Sequence, residues 1–459
     1  MMGFQYQIKE LNGDTLTPIA VFNRLQGKRK FILESSSGHG EKGRYSFIGV
    51  NPFKEIIASQ QRVEINTDQG AHTEQGDPLE IVKKHVPHVD LNLPFAFYGG
   101  AIGYIGYDSI RQYEDIGERL DDEIEMPDLH LMFYQEVVIF DHKQQSVTVV
   151  AVDMTQTRTK QDLNAKLDQL TEQLLTNQVK QGNEKFALTF TPSIDERTFI
   201  EMVETAKRHI IDGDVFQVVL SQRMKASFTV DPFTFYRRLR LANPSPYMFY
   251  IDFENYIVLG ASPESLIKIK GDEVVTNPIA GTRPRGRTES EDLALAEQLL
   301  ADQKERAEHK MLVDLSRNDL GKVCQVHTIE VAKYMEIERY QHVMHIVSEV
   351  TGKLEKNMTG LDALIATLPA GTVSGAPKIR AMQIINALES KKRGVYAGSV
   401  GYINLNGDLD LALAIRTMVV KGQTAYVQAG AGIVYDSDPA SEYQETLNKA
   451  KSLLEVANR

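Results

Sequence analysis

A chain of 459 residues is longer than one hydrophobic core serves well, so one large composite domain or two to three domains are expected. With 42% hydrophobic and 25% charged residues it falls outside the disordered and collagen-like classes. Its net charge of -11, from 62 acidic against 51 basic residues, repels polyanions; this excludes a general nucleic-acid role and confines any anion site to a local basic pocket. A single cysteine, Cys324, rules out an intrachain disulfide framework and a cysteine-rich zinc site and fits a reducing compartment. The start, MMGFQYQIKE, carries no basic region followed by an apolar stretch, so a cytoplasmic location is expected. The most apolar run, LPFAFYGGAIGYIGYD, is too short and Gly-rich for a membrane span and reads as buried strand and turn.

In chain order, the first 175 or so residues alternate β-type runs (RYSFIGV, KEIIAS, EVVIFDH, SVTVVAV) with turns rich in Gly, Asn, Asp and Ser. Residues 159–178 place Leu163, Leu167, Leu170 and Leu174 at helical spacing, and the polar QVKQGNEKF that follows reads as a linker. The expected division is therefore a strand-rich region 1–180 and a second region 181–459. The second region predicts helices at 194–212, 231–242, 288–318, 358–367, 376–388 and 439–457. Its predicted strands are 215–229, 247–251, 256–260, 265–270, 327–334, 398–404 and 424–429. YINLNGDLDLAL, with Asn406-Gly407 at its turn, indicates antiparallel pairing. The fold class expected is α+β, with large antiparallel sheets packed as a sandwich and helices outside.

Several stretches carry chemistry-bearing residues. In KERAEHKMLVDLSRNDLG, Glu305, Glu308 and Leu312 follow one helical stripe, where a carboxylate beside apolar residues suits a hard cation; spacing alone favours a solvated face. Asp438 and Pro439 signal a helix start, after which Glu442, Glu445 and Lys449 share one face; an ordinary surface ion pair accounts for them equally. Three Gly-bearing loops are expected, NPIAGTRPRG, PAGTVSGAPK and VQAGAGIVYDSD, each letting backbone approach a ligand. The second lacks the Gly-Lys-Ser/Thr ending of a phosphate loop. Arg416, inside the apolar LALAIRTMVV, needs an anion, and a protein carboxylate is the simpler expectation. His345 sits in an apolar run, where a core histidine is the bland reading, and the same holds for His309 and His342. Taken together, two separated carboxylates, an arginine, a lysine and three Gly loops describe a pocket for a small polyanion with a divalent cation.

Long blocks then resemble the family of chorismate-using enzymes, and within it the large subunits of anthranilate synthases, over nearly the whole chain. They include FILESSSG, YGGAIGYIGYD, FQVVLSQR, NPSPYMFY, GASPES, PIAGTRPRG, AEHKMLVDLSRNDLG, ERYQHVMHIVSEV, PAGTVSGAPKIRAM, GYINLNGDLDLALAIRT and QAGAGIVYDSDPASEYQETLNKA. The resemblance implies that chorismate and ammonia give anthranilate and pyruvate with Mg²⁺, the first committed step of tryptophan biosynthesis. By position it implies Glu308 and Glu445 as Mg²⁺ ligands, and Arg416, Tyr396 and backbone near Gly430 as holders of the enolpyruvyl carboxylate. Lys449, Gly281, Thr282 and Thr372 complete the anion cradle, Glu264 is the acid for the departing C4 hydroxyl, and His345 is linked to the elimination of pyruvate.

Relatives that make aminodeoxychorismate commonly read PIKGT, with a lysine nucleophile where this chain has Ala280, and water-adding relatives carry a lysine base where this chain has Gln217. Both positions favour direct attack by ammonia. A lone cysteine outside any nucleophile elbow cannot make the chain its own glutaminase, so a separate glutamine amidotransferase subunit and a hetero-oligomer are expected. Leu33, Glu34 and Ser35 with Pro246, Tyr247 and Met248 resemble the two halves of a tryptophan feedback site. An aminodeoxychorismate-forming enzyme and a silent tryptophan-sensing subunit stand as alternatives. No nucleic-acid or membrane partner is expected.

Overall fold

The computed structural model of the chain describes residues 4–35, 43–176 and 188–454. Among them, two twelve-stranded sheets form the architecture, and every strand pairing in both is antiparallel. The first sheet runs from Tyr6–Asn12 at one edge through Phe31–Glu34, Tyr247–Asp252, Tyr256–Ser262 and Thr417–Lys421 to Thr424–Ile433 and Gln217–Ser227. The second runs from Ile279–Pro284 and Val343–Lys353 through Ser265–Lys270, Leu409–Leu413 and Ser399–Asn404 to Gly100–Ile105 and on to Gly70–Gln75.

Strand sequences explain the layering. In Glu136–Asp141, Val137 and Ile139 point to one core and Val138 and Phe140 to another, because successive side chains alternate between faces. The first core lies between the sheets, where Phe31, Phe47 and Phe249 of one meet Ile102, Met132 and Tyr402 of the other. The second lies outside the first sheet, where the helix Lys160–Thr176 buries Leu163, Leu167, Leu170 and Leu174 on one stripe. A strand buried on both faces reads as a continuous apolar run. The sandwich with outer helices is therefore the fold expected from the sequence.

The QVKQGNEKF stretch lies outside the described residues. Strands from before and after residue 180 are hydrogen-bonded to one another in both sheets: Phe31–Glu34 pairs with Tyr247–Asp252, and Gly100–Ile105 with Ser399–Asn404. The helix predicted over 288–318 is two helices, Glu289–Ala301 and Gln303–Leu320. Asp302 breaks it by accepting from the main-chain N–H groups of Lys304 and Glu305, thereby starting a new helix. Two of the three expected Gly loops are strands, Ile279–Pro284 and Thr424–Ile433; glycine there marks close packing of strand on side chain rather than a turn. The Asn406-Gly407 hairpin joins Ser399–Asn404 to Leu409–Leu413 as expected. Among the described residues no helix is long and apolar enough to cross a membrane.

Candidate active site

The site is built where the chain passes from one sheet to the other. One crossing, Ser262 to Ser265, carries Glu264; the other, Leu413 to Thr417, carries Arg416. They lie side by side, because Leu413 N donates to Glu264 O at 3.0 Å, Ala261 N to Arg416 O at 3.1 Å, and the Ser262 hydroxyl to Leu413 O at 2.7 Å. Arg416 turns the corner with φ +48°, a left-handed conformation unusual for a residue with a side chain. Glu264 is buried, and its carboxyl accepts one hydrogen bond, from the Thr372 hydroxyl at 2.9 Å. Burial pushes its pKa up to about 8, against the pull of the Thr372 bond and the charges of Arg416 and Lys449, so it is a protonated acid at neutral pH. Arg416 is half-buried, and among the described residues no carboxylate pairs with its guanidinium. The protein carboxylate that the sequence favoured as its partner is therefore not found.

A second wall comes from Ile279–Pro284 and Val343–Lys353. Their register shifts between Ala280 and Thr282, with Gly281 at φ +74° forming the bulge. A side chain at Gly281 would meet the Glu305 carboxylate at 3.0 Å, so this strand lies tight against the helix that carries Glu308. His345, opposite Thr282, places Nδ1 at 3.0 Å from both Gly281 O and the Thr282 hydroxyl. The carbonyl can only accept, so Nδ1 carries the proton and Nε2 is left with its lone pair. Burial lowers the His345 pKa, despite the Gly281 bond and with Arg416 adding to the fall. The ring of Tyr340 packs edge-on against it at 5.5 Å.

The third wall is the glycine ladder of Thr424–Ile433. A Cβ at Gly430 would sit 2.7 Å from the Tyr396 hydroxyl, and one at Gly432 would sit 2.7 Å from Gln217 Nε2. Glycine is thus required for Tyr396 and Gln217 to lie over this strand. Gln217 donates to the Glu308 carboxylate at 2.9 Å, while its own Oε1 is buried without a partner. Lys449 bonds Gly430 O at 3.0 Å and forms the expected exposed pair with Glu445 at 2.7 Å. Burial raises the pKa of Glu305 and of Glu442, and the charges of Glu308 and Glu445 respectively add to it. Glu442 also senses the charge of Lys304 on the helix Gln303–Leu320. Among the described residues no three His, Cys, Asp or Glu side chains converge into a metal site of their own.

Other residues resolve differently. His309 is a core histidine, bonded to the Ser348 hydroxyl at 2.6 Å, and His342 is exposed. The arginines of RPRG are tied within the fold: Arg283 to Asp302 and Glu305, Arg285 to Asp292. Cys324 is buried, which pushes its thiol up to about 11, unsuited to a nucleophile. The two segments holding Leu33, Glu34, Ser35, Pro246, Tyr247 and Met248 do meet, with Met248 opposite Glu34. Glu34 Oε2 accepts from the Tyr236 hydroxyl at 2.8 Å and Arg240 Nε at 2.9 Å, while its Oε1 is buried without a partner among the described residues. Sequence reasoning missed Tyr236 and Arg240, although their spacing on one face of the helix Pro232–Ala242 is a usable signal. It also missed Tyr340, and Arg393 behind Tyr396, which the run KKRGVY disguises as surface charge.

The chorismate binding enzyme family matches residues 28–455. Anthranilate synthase component 1 of Lactococcus lactis subsp. lactis is 49% identical over 98% of this chain and 99% of its own length. The corresponding protein of Aquifex aeolicus is 45% identical over 97% of this chain and 93% of its own. The crystal structure of anthranilate synthase component I from Streptococcus pneumoniae superposes with a TM-score of 0.85 at 45% identity, covering 96% of this chain and 98% of that one. The menaquinone-specific isochorismate synthase of Escherichia coli shares the fold at 21% identity, with a TM-score of 0.73 over 98% of this chain and 95% of its own. The chain belongs to the chorismate binding enzyme family, and its high-identity, full-length relatives are anthranilate synthase component 1 proteins.

Proposed function

We propose that this protein is the ammonia-using subunit of an anthranilate synthase, a Mg²⁺-dependent lyase that converts chorismate and ammonia to anthranilate and pyruvate. The observation that carries the reading is the closeness of Arg416, a cation with no carboxylate partner among the described residues, to Glu264, a buried acid that keeps its proton at neutral pH. A dicarboxylate substrate supplies the missing anion, and an acid is what a departing hydroxide needs.

Mg²⁺ fits the donor set: Glu308 and Glu445 offer hard oxygens, too few to hold a metal alone, as is usual for a cation completed by substrate and water. When bound it supplies charge neutralisation and a template for the ring carboxylate. The remaining steps belong to the chain. Arg416, Tyr396, Lys449 and backbone near Gly430 hold the enolpyruvyl carboxylate, with Gly281, Thr282 and Thr372 closing the cradle. Glu264 gives its proton to the C4 hydroxyl, which leaves as water while the ammonia nitrogen bonds to C2. The unpartnered Gln217 Oε1 suits an N–H donor. His345, with Nε2 as acceptor, serves the following elimination, in which the C2 proton and the enolpyruvyl group depart as the ring becomes aromatic. Ala280 offers no amine for a covalent route; it is 9% exposed in its strand.

The unreactive Cys324 supports glutamine hydrolysis on a separate amidotransferase subunit in a hetero-oligomer of the cytoplasm. The N-terminal region 1–180 contributes Leu33, Glu34 and Ser35, and the catalytic region 181–459 contributes Pro246, Tyr247 and Met248, to a tryptophan site. An unpartnered Glu34 Oε1 suits the ammonium group of an amino acid. The test is purified protein with chorismate, Mg²⁺ and ammonium salt, followed by anthranilate fluorescence and product chromatography. Fluorescence that grows, requires Mg²⁺ and falls with added tryptophan is expected; aminodeoxychorismate as product, or unchanged chorismate, would overturn the proposal.

A further inference from the structure

Next to Tyr396 lies a buried pair of charged groups, Arg393 and Glu389. Arg393 is 3% exposed. Its Nη1 donates to Val373 O at 2.7 Å and its Nη2 to Val219 O at 2.8 Å. Glu389 holds the guanidinium from the other side, at 2.9 Å to Nε and 2.6 Å to Nη2. Glu389 Oε1 also accepts from Ser221 N and Oγ, both at 2.8 Å. The planar cation lies over the rings of Tyr107 and Tyr396, 4.9 and 5.5 Å from their centroids.

The contacts lead to two parts of the site, the Glu264 crossing and the glycine ladder. Val373 follows Thr372, which bonds Glu264. Val219 lies two residues beyond Gln217 on the strand paired with the glycine ladder, and Ser221 stands opposite Gly430. Tyr396 is the side chain that Gly430 makes room for. A buried ion pair adds little stability over an apolar pair of similar volume, so holding a helix to a sheet does not by itself explain a guanidinium here. A rigid fork bonding two main-chain carbonyls on separate elements, with a flat face for an aromatic ring, does explain it; lysine would offer neither the fork nor the plane.

We propose that Arg393, oriented by Glu389, is a positioning residue for the reaction proposed above, setting Thr372, Tyr396 and the Gln217 strand relative to one another. The inference rests on that reading of the site. It touches no substrate atom and acts through Thr372 and Tyr396.

The test is a double-mutant cycle of Arg393→Lys with Thr372→Ala, using steady-state kinetics at saturating ammonia and Mg²⁺, with thermal melts on each variant. Arg393→Lys lowers kcat by about ten- to a hundredfold, as expected for misplacement of the acid's partner, with a smaller change in KM for chorismate. In the Thr372→Ala background the same change costs much less, because the residue it acts through is already gone. Unchanged kcat, or the full loss repeated in the Thr372→Ala background, overturns the proposal. Should Arg393→Lys fail to fold, Ser221→Ala loosens Glu389 while leaving the arginine: a smaller, equally non-additive loss supports the proposal and parental kinetics overturn it. If the parent chain itself forms no anthranilate, the reading beneath falls and this inference falls with it; parental activity with no coupling removes the inference alone.

Discussion

Arg416, at a sheet crossing beside Glu264, and Arg393, over the ring of Tyr396, are treated by the protein in opposite ways. Every guanidinium nitrogen of Arg393 is hydrogen-bonded, to Glu389 or to a carbonyl, whereas Arg416 has no carboxylate partner among the described residues. The carboxylates divide likewise: Glu389 accepts from Arg393 and Ser221, while Glu264 accepts one neutral hydrogen bond and keeps its proton up to about pH 8. The difference teaches how the site is organised. The groups proposed to meet the ligand are left under-partnered at the sheet crossings, while the neighbouring Arg393–Glu389 pair is hydrogen-bonded within the fold.

The largest effect is expected at the proposed metal ligands. Glu445→Ala is expected to abolish anthranilate formation at saturating ammonia while circular dichroism and the thermal melt stay near the parent, since Glu445 is exposed. Next, Glu264→Gln should lower kcat by about 10²- to 10⁴-fold, the range for losing a general acid, with little change in KM. Arg416→Lys should act mainly on chorismate KM, by about tenfold or more, because a point charge replaces a fork; a change confined to kcat would place Arg416 away from the ground-state carboxylate. At the proposed tryptophan site, Tyr236→Phe removes one bond to Glu34, so stability should drop by about 1 kcal/mol in denaturant melts and the inhibition by tryptophan proposed above should weaken with kcat unchanged.

Stability against pH sharpens the same contrast. Glu264 has a folded value of about 8, above the usual carboxylate value of roughly 4.3. Between those values the unfolded chain has released a proton that the folded chain keeps, so its contribution to stability is full below the unfolded value, declines as pH rises to about 8, and is level beyond. Thermal melts of Glu264→Gln should lack that decline.

The sequence made the framework legible because strands buried on both faces are continuous apolar runs and outer helices are Leu stripes, as in Glu136–Asp141 and Lys160–Thr176. It misread Ile279–Pro284 as a loop and ended the strand Thr424–Ile433 too early, at residue 429, since their glycines answer to side chains far away in the chain, Glu305, Tyr396 and Gln217. Motif resemblance nominated the candidate residues, but their surroundings were not legible: that Arg416 has no carboxylate partner among the described residues and that burial raises the Glu264 pKa depend on two crossings brought together from distant parts of the chain. Arg393 was invisible for the same reason, a basic residue in a basic run whose partners are main-chain carbonyls.

The most direct test of the account is kcat/KM for chorismate from neutral to alkaline pH at constant free ammonia, in the parent and in Glu264→Gln. The parent should lose activity as pH rises through about 8, where Glu264 gives up its proton, and the residual activity of Glu264→Gln should be flat across that range. The same alkaline loss in both proteins, or no loss in the parent, would contradict a buried protonated Glu264 as the acid of the reaction.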